Sequence, residues 1–417
     1  MSCPNLSLDN DGNTTSDLQD TQSAEELQAI AIQYYFMNIG IPVVCSFGIV
    51  GNILNLLVLT KEKRQRTLTK MELSAHMGLI ALAFSDFMFC LLALLFVMLP
   101  LKGVYVLGDA LIYYDWLGGG FITMFIVTST WLIVVMAGER YMAVCHPFKA
   151  RNLISLRRTR ISITAIFVGC AFCTIPIFMQ TRIQHFQCAD NVTYLHVIER
   201  SMFTRKVVAA RRLMWSVLFD FIPCAALIYF NICLIWKIHH AKRMRRNMAP
   251  MQCHEQSSLY SANKNGTLST SVSFKRSPGQ ISYKPSCSVE LESQSYNSSP
   301  HQTKMARHIS RKRSTDSALN SVTATLVAVV IMFLILVSPS ELLKFVLNYT
   351  TDSQQYKVKI VNAITNFMQA LNFSTNFVLY CVINKSFRET LTSIFSTVYC
   401  RKMLQSREEH LILERSG

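Results

Sequence analysis

Seven apolar runs, each roughly 20 residues or longer and set apart by charged stretches, constrain this chain more than any other feature. They lie near 33–60, 73–99, 118–144, 161–180, 213–236, 322–347 and 358–383. A bilayer core of about 30 Å takes roughly 20 apolar residues per helix, and a helix satisfies its own backbone groups within lipid. The expected fold is an all-α membrane protein, a seven-transmembrane helix bundle. Composition agrees, with 51% of the 417 residues hydrophobic and 16% charged, against about 25% charged in an average soluble domain. In a soluble chain the formal net charge of +16 would point to nucleic acid. In a membrane chain it marks cytoplasmic loops, and no nucleic-acid partner is expected. The thirteen Cys hold no paired C-x-x-C arrangement and mostly lie in apolar runs, where they read as small hydrophobes.

Positive charge near the span ends sets the orientation. The first 33 residues carry six carboxylates and no Lys or Arg, so that tail is expected outside. The loops holding Lys61, Lys63, Arg64, Arg66 and Lys70, and Lys149, Arg151, Arg157, Arg158 and Arg160, are expected inside. Glycosylation sequons at Asn5, Asn13 and Asn191 fall on the outer side. Asn348 opens a fourth close to the membrane, and those at Asn265, Asn297 and Asn384 fall inside, where they would stay bare. The polar N-terminus lacks a basic n-region followed by an apolar h-region, so the first span is expected to direct insertion. From Lys237 to Arg313 the chain holds 14 basic and three acidic residues around a Ser-rich middle, too polar to fold alone. The expected organisation is an extracellular glycosylated tail over 1–32, the bundle over 33–383, a largely disordered third cytoplasmic loop over 237–320, an amphipathic surface helix over 384–400 and a cytoplasmic tail over 401–417. Basic helical ends are expected at 242–246 and 307–313, and Ser277 and Ser314 beside clustered basic charge suit kinases.

Polar groups inside apolar spans are costly, and each is a functional candidate by default. Asp86 in L-A-F-S-D is the clearest, against the plain alternative of a carboxylate neutralised for helix packing. Asn52, Ser129, Asn372 and Asn376 stand at similar depth and could complete one buried network. At the inner end of the third span, Glu139-Arg140-Tyr141 precedes A-V-C-H-P-F. An Arg there either snorkels or takes the adjacent carboxylate.

Gly51-Asn52, the Asp86 motif, E-R-Y at Glu139 to Tyr141 with Pro147 and Phe148, Pro223, and N-F-V-L-Y at Asn376 to Tyr380 follow the order seen in the rhodopsin-like family of G-protein-coupled receptors, which the chain resembles. The resemblance implies a receptor, not an enzyme, whose fifth and sixth helices swing away from Arg140 to admit a heterotrimeric G protein. Carried over by position, Asp86, Ser129, Asn372 and Asn376 would line an allosteric sodium site, and Arg140, Asn231 and Tyr380 would belong to the cytoplasmic switch. No other cofactor is implied. C-V-I-N-K-S-F-R-E-T-L after Tyr380 resembles the family's short amphipathic helix, with Phe387 and Leu391 four apart. Cys400 beyond it is a palmitoylation candidate. Arrestin and kinases are the partners implied for the third cytoplasmic loop.

Departures from the pattern are as informative. The sixth span reads Leu336-Val337-Ser338-Pro339 without the usual Trp, the seventh has Phe377 in place of Pro, and the fourth lacks its Trp. The third-span cysteine that would tether the second outer loop is replaced by Asp115, which leaves Cys188 free or paired with Cys3. Leu319 stands where some relatives hold a carboxylate facing Arg140, so the inactive state is expected to be loosely latched.

Ile122 in place of an ammonium-binding Asp argues against a monoamine, and Ala370 in place of a Schiff-base Lys against retinal. Arg211, Arg212, Trp215, Glu341, Lys344, Asn362, Asn366 and Gln369 make a polar upper half that suits a peptide, with interhelical pairing as the plain alternative. N-F-S-T-N-F-V-L-Y-C and E-R-Y-M-A-V-C-H-P-F are similar to invertebrate neuropeptide receptors of the FMRFamide and myosuppressin kind, which implies an amidated peptide with Glu341 as counter-ion for its Arg. A metal hydrolase would need clustered ligands, yet His76 is the one His well inside a span; a transporter would need internal repeats. A seven-span protein that binds a ligand or partner without G-protein coupling, or a receptor for a non-peptide ligand, is the remaining alternative.

Overall fold

A computed structural model describes residues 24–65, 69–99, 104–187, 193–199, 205–262, 323–339, 341–343, 345 and 355–397. The expected sites at Asn5, Asn13, Asn191, Cys3, Cys188, Lys344, Asn348 and Cys400, the loop beyond residue 262 with Ser277, Ser314 and Leu319, and the side chain of Arg212 lie outside the described residues. Contacts divide the chain into two units, Met1–Ile235 with Ala318–Gly417, and Trp236–Ser317.

In the first unit, helix α1 (Ala24–Gln33) passes through a π-helical turn, Tyr34–Gly40, into α2 (Ile41–Gln65). Then come α3 (Lys70–Met98), strand β1 (Val104–Val106), α4 (Leu111–Cys145), α5 (Pro147–Leu153) and α6 (Leu156–Phe178). Strands β2 (Thr181–Gln187) and β3 (Thr193–Glu199) precede α7 (Arg205–Ser216), a second π-helical turn over Val217–Phe221, and α8 (Ile222–Ala262). Helices α9 (Thr323–Leu343), α10 (Gln355–Ile383) and α11 (385–397) follow. Among the described residues, six helical segments are long and apolar enough to cross a membrane. The seventh expected span is α10, a single helix through Phe377, which packs against α1, α2 and α3. In the second unit, the described residues are helical from Trp236 to Ala262, in line with the basic helix expected at 242–246.

Local chemistry explains the helix starts. Thr69 and Glu72 form a reciprocal capping box at the head of α3. Ser155 caps α6, Pro147 opens α5 with a missing N–H that costs nothing there, and Asn384 Oδ1 accepts from the Phe387 amide to open α11. The helices overrun the apolar runs, by nine residues at the first N-terminus and by 26 at the end of α8, which carries helix into the segment expected to be largely disordered, because helical hydrogen bonding continues where the chain leaves lipid.

The core runs through Leu79, Leu132, Leu227, Val330, Phe333 and Tyr380, which join α3, α4, α8, α9 and α10. Large apolar side chains also face outward, Phe172 at 73% and Val382 at 70% exposure, as a lipid-facing surface requires. Glycines set the closest helix approaches. A Cβ on Gly51 would come within 2.9 Å of Phe377 Cβ, and one on Gly48 would collide with Ser374 and Cys90, so side chains of α3 and α10 pack against bare backbone of α2. The all-helical expectation misses one feature, an antiparallel sheet in the order β1-β3-β2 with Tyr105 opposite Leu195.

Candidate functional site

A cavity of about 380 Å³ opens between the helices at one end of the bundle. Trp215, Glu341, Asn366 and Gln369, all expected from the sequence, line it. Ile122 and Ala370, the positions used to argue against amines and retinal, line this cavity too. Gln369 Nε2 donates to Glu341 Oε1, which ties α10 to α9 at the cavity wall. Arg211 and Asn362 are not among the lining residues. With the Gln180 amide oxygen turned toward it, Arg211 Nη2 donates at 3.2 Å. Among the described lining residues none is Lys, Arg or His, while Asp220 joins Glu341 as a second carboxylate. The sequence reading passed over Asp220, although the cost of a carboxylate inside an apolar run marks it as clearly as Asp86.

The cavity floor contains Phe333 and Val337, which also belong to the core with Leu132, Leu227 and Tyr380. These two touch both cavity and core in a span that lacks the family's usual Trp. Beside them, Cys224 Sγ lies 3.1 Å from Ser338 Oγ and links α8 to α9.

Deeper in the bundle, Asp86 is fully buried. Ser129 Oγ donates to its Oδ1 at 2.7 Å and Asn376 Nδ2 to its Oδ2 at 2.6 Å, joining α3, α4 and α10. Ser85 Oγ lies 2.9 Å from Ser129 Oγ and donates to the Phe125 carbonyl at 3.2 Å, a member the sequence reading missed. The expected five-residue network is smaller than foreseen. Asn52 spends its amide on the Phe373 carbonyl at 3.0 Å and accepts from Asn55 at 3.3 Å, while Asn372, though buried, makes no hydrogen bond to Asp86. Helical side chains four residues apart share a face but need not converge on one atom, and Asn376 reaches Asp86 where Asn372 does not.

At the opposite end, Glu139 and Arg140 do not pair as hydrogen-bond partners. Glu139 Oε2 accepts from Ser74 Oγ at 2.6 Å and Oε1 from Thr159 Oγ1 at 3.2 Å, so the carboxylate locks α4 to α3 and α6. Arg140, 4% exposed, donates Nη2 to the Met71 carbonyl at 3.0 Å, while its Nε and Nη1 have no hydrogen-bond partner. It borders a small cavity with Phe230, Asn231, Leu326 and Val330. Asn231 turns its amide back to the Leu227 carbonyl at 2.8 Å. Tyr141 packs against Tyr229 and Phe230, with ring centroids 5.8 and 5.4 Å away. Pro147 starts α5, Phe148 projects outward at 91% exposure, and buried Tyr380 packs on Phe387 of α11 at 5.6 Å.

A cavity at one end, a polar knot at mid-depth and a buried Arg at the other end, strung along one helical bundle, define a transmembrane receptor. The family model described as 7 transmembrane receptor (rhodopsin family) matches residues 51–380, and the chain belongs to that family. It is accordingly a multi-pass membrane protein. It is similar to neurotensin receptor type 1 of Rattus norvegicus, 27% identical over 194 residues that cover 43% of this chain and 42% of that receptor. It is also similar to the trissin receptor of Drosophila melanogaster, 26% identical over 218 residues, 49% of this chain and 30% of the relative. The thyrotropin-releasing hormone receptor of Mus musculus is 31% identical over 159 residues, 37% of this chain and 36% of the relative. Each matched segment spans less than half of the relative's length.

Proposed function

We propose that this chain is a plasma-membrane receptor, N-terminus outside, that converts binding of an extracellular peptide into activation of a heterotrimeric G protein. The observation that carries the reading is the shared floor of the ligand cavity and the core: Phe333 and Val337 touch both, so a ligand pressing on the cavity acts directly on α9. A ligand shifts the balance between two bundle states only by its differential affinity for them, and a shared wall supplies such a difference. Family membership and the neuropeptide receptor relatives support the peptide ligand.

The finer reading is an amidated peptide of the Arg-Phe-amide kind, supported by the stretches around Glu139 to Phe148 and Asn372 to Cys381. The described wall of the cavity holds no basic side chain to balance a terminal carboxylate, and an amide removes that charge. Its volume admits one or two residues, so the peptide's end would enter and the rest would stay above. Glycosylation at Asn5, Asn13 and Asn191, palmitoylation at Cys400, and kinase and arrestin engagement of the third cytoplasmic loop complete the proposal from sequence. Sodium fits the middle of the bundle: Asp86, Ser85 and Ser129 offer a carboxylate and two hydroxyl oxygens, a hard donor set for a hard cation, and the ion would neutralise the buried charge.

The test expresses the chain in cells and reads calcium and cAMP together against amidated neuropeptides, lipids and amines. A nanomolar peptide response that disappears in Arg140→Ala is the expected result. Silence across the panel with surface expression confirmed would favour a receptor-like protein that does not couple.

A further inference from the structure

Asp220 sits in the π-helical turn Val217–Phe221 that joins α7 to α8. Such a turn takes an extra residue and rotates the side chains around it, and it recurs at functional sites. Asp220 lines the same cavity as Glu341. Their relative placement follows from the contact between Cys224 and Ser338, 3.1 Å apart. Cys224 is one helical turn past Asp220, and Ser338 is three residues before Glu341. Further along α8 and earlier along α9, Asn231 and Leu326 border Arg140. Both carboxylates therefore lie on the same side of the Cys224 contact, away from Arg140, on adjoining helices. Around them the wall is aromatic, with Phe89, Phe96, Trp215, Phe219 and Phe333. A delocalised cation is attracted to carboxylates and to ring faces alike.

We propose that Asp220 and Glu341 together form a cation subsite that takes a guanidinium or ammonium group of the ligand. This rests on the receptor reading for the identity of the natural ligand, while the subsite itself is defined by the cavity. The charged group could be the side chain of a peptide or the head of a small amine, and both are tested.

Cys224, partly exposed at the cavity wall, reports the local field without any ligand. In membranes holding the full chain, two methanethiosulfonate reagents are compared, one ending in an ammonium and one in a sulfonate, with Cys224→Ala identifying the Cys224 signal. The charged side chains among the described lining residues are both carboxylates, which draw cations into the cleft, so the ammonium reagent is expected to react about tenfold faster or more. That ratio should fall severalfold in Asp220→Asn and in Glu341→Gln, and approach one in the double variant. Asp220→Glu, which keeps the charge, should preserve it and exclude misfolding as the cause. A ratio near one in the unaltered chain, or no change in Asp220→Asn, would overturn the proposal.

The second arm uses Phe-Met-Arg-Phe-amide, the same peptide with citrulline for Arg, and agmatine. Preference for the Arg peptide over the citrulline peptide, lost in Asp220→Asn, supports a peptide source. Agmatine slowing Cys224 labelling in the unaltered chain but not in Asp220→Asn supports a small cation. If neither peptide binds while the reagent ratio holds, the peptide reading fails and the subsite stands.

Discussion

Where the family resemblance implies a cysteine, Asp115 Oδ2 accepts a hydrogen bond from Tyr105 Oη at 2.9 Å. Tyr105 is 2% exposed on β1, which pairs with β3, and Trp116 Nε1 donates to the Thr181 carbonyl of β2 at 3.2 Å. Two neighbouring side chains of α4 thus hold both edges of the sheet without a covalent bond. Asp115→Ala leaves the Tyr105 hydroxyl buried without this acceptor, at an expected cost of about 1–3 kcal/mol, while Asp115→Asn keeps an oxygen there and costs less. Thermal unfolding of the purified chain measures this, and equal midpoints for Asp115→Ala and the unaltered chain would show that the bond stabilises nothing. At this scale the sequence was readable at Asp86, Ser129 and Asn376, polar groups that stand in apolar runs, while Asp220, which stands in one too, was passed over. Ser85 was not readable, because a helical Ser commonly satisfies itself on a backbone carbonyl and so raises no alarm. Asn52 and Asn372 show the other limit: depth along a span was legible, but the direction each amide takes depends on packing with the neighbouring helix.

Among the elements, α11 is held more firmly than its amphipathic pattern implies. Phe387 is fully buried and Leu391 packs on the core, as the four-residue spacing predicts. Behind them Glu62 of α2, 2% exposed, accepts from the hydroxyls of Ser386 and, at 3.3 Å, Thr390, with His76 Nδ1 3.9 Å away. That carboxylate lies more than 320 residues from Ser386 in sequence, so no local pattern announces it. The β1–β3 pairing was illegible for the same reason, since Tyr105 meets Leu195 only through the folded bundle. By contrast the exposed Lys385–Glu389 pair, 3.9 Å apart with Lys385 at 81% exposure, follows the helical i,i+4 rule and holds little, because solvent screens it. Phe387→Ala removes a fully packed ring, at a cost of about 3–5 kcal/mol by comparison with soluble cores. It is expected to accelerate amide exchange across 385–397 by at least about tenfold, whereas Lys385→Ala should leave it unchanged. Equal protection in both variants would mean that membrane contact, not bundle packing, holds α11.

For the whole molecule, the proposed switch depends on what keeps Arg140 in place. Glu139 is committed to Ser74 and Thr159, and the hydrogen bond that holds the guanidinium is the one to the Met71 carbonyl. A hydrogen bond to a charged group contributes about 1.5–3 kcal/mol, and each 1.4 kcal/mol is a factor of ten in a two-state population. A latch of that size leaves a measurable fraction of receptors open without ligand, so basal signalling above that of mock-transfected cells is expected. Leu326 of α9 borders Arg140 in the cytoplasmic-end cavity, where the Nε and Nη1 hydrogens lack partners. Leu326→Glu would set a carboxylate against those hydrogens and tie α9 to α4 across the gap that must open. Basal signalling should then fall by about tenfold or more, with surface expression matched, and a stronger ligand stimulus should be needed for the same response. Leu326→Gln adds an amide of similar shape without the charge and should lower basal signalling less. Should Leu326→Glu signal as strongly as the unaltered chain, Arg140 would not be the element that limits opening, and the contact of Phe333 and Val337 between cavity and core would be the place to look for the barrier.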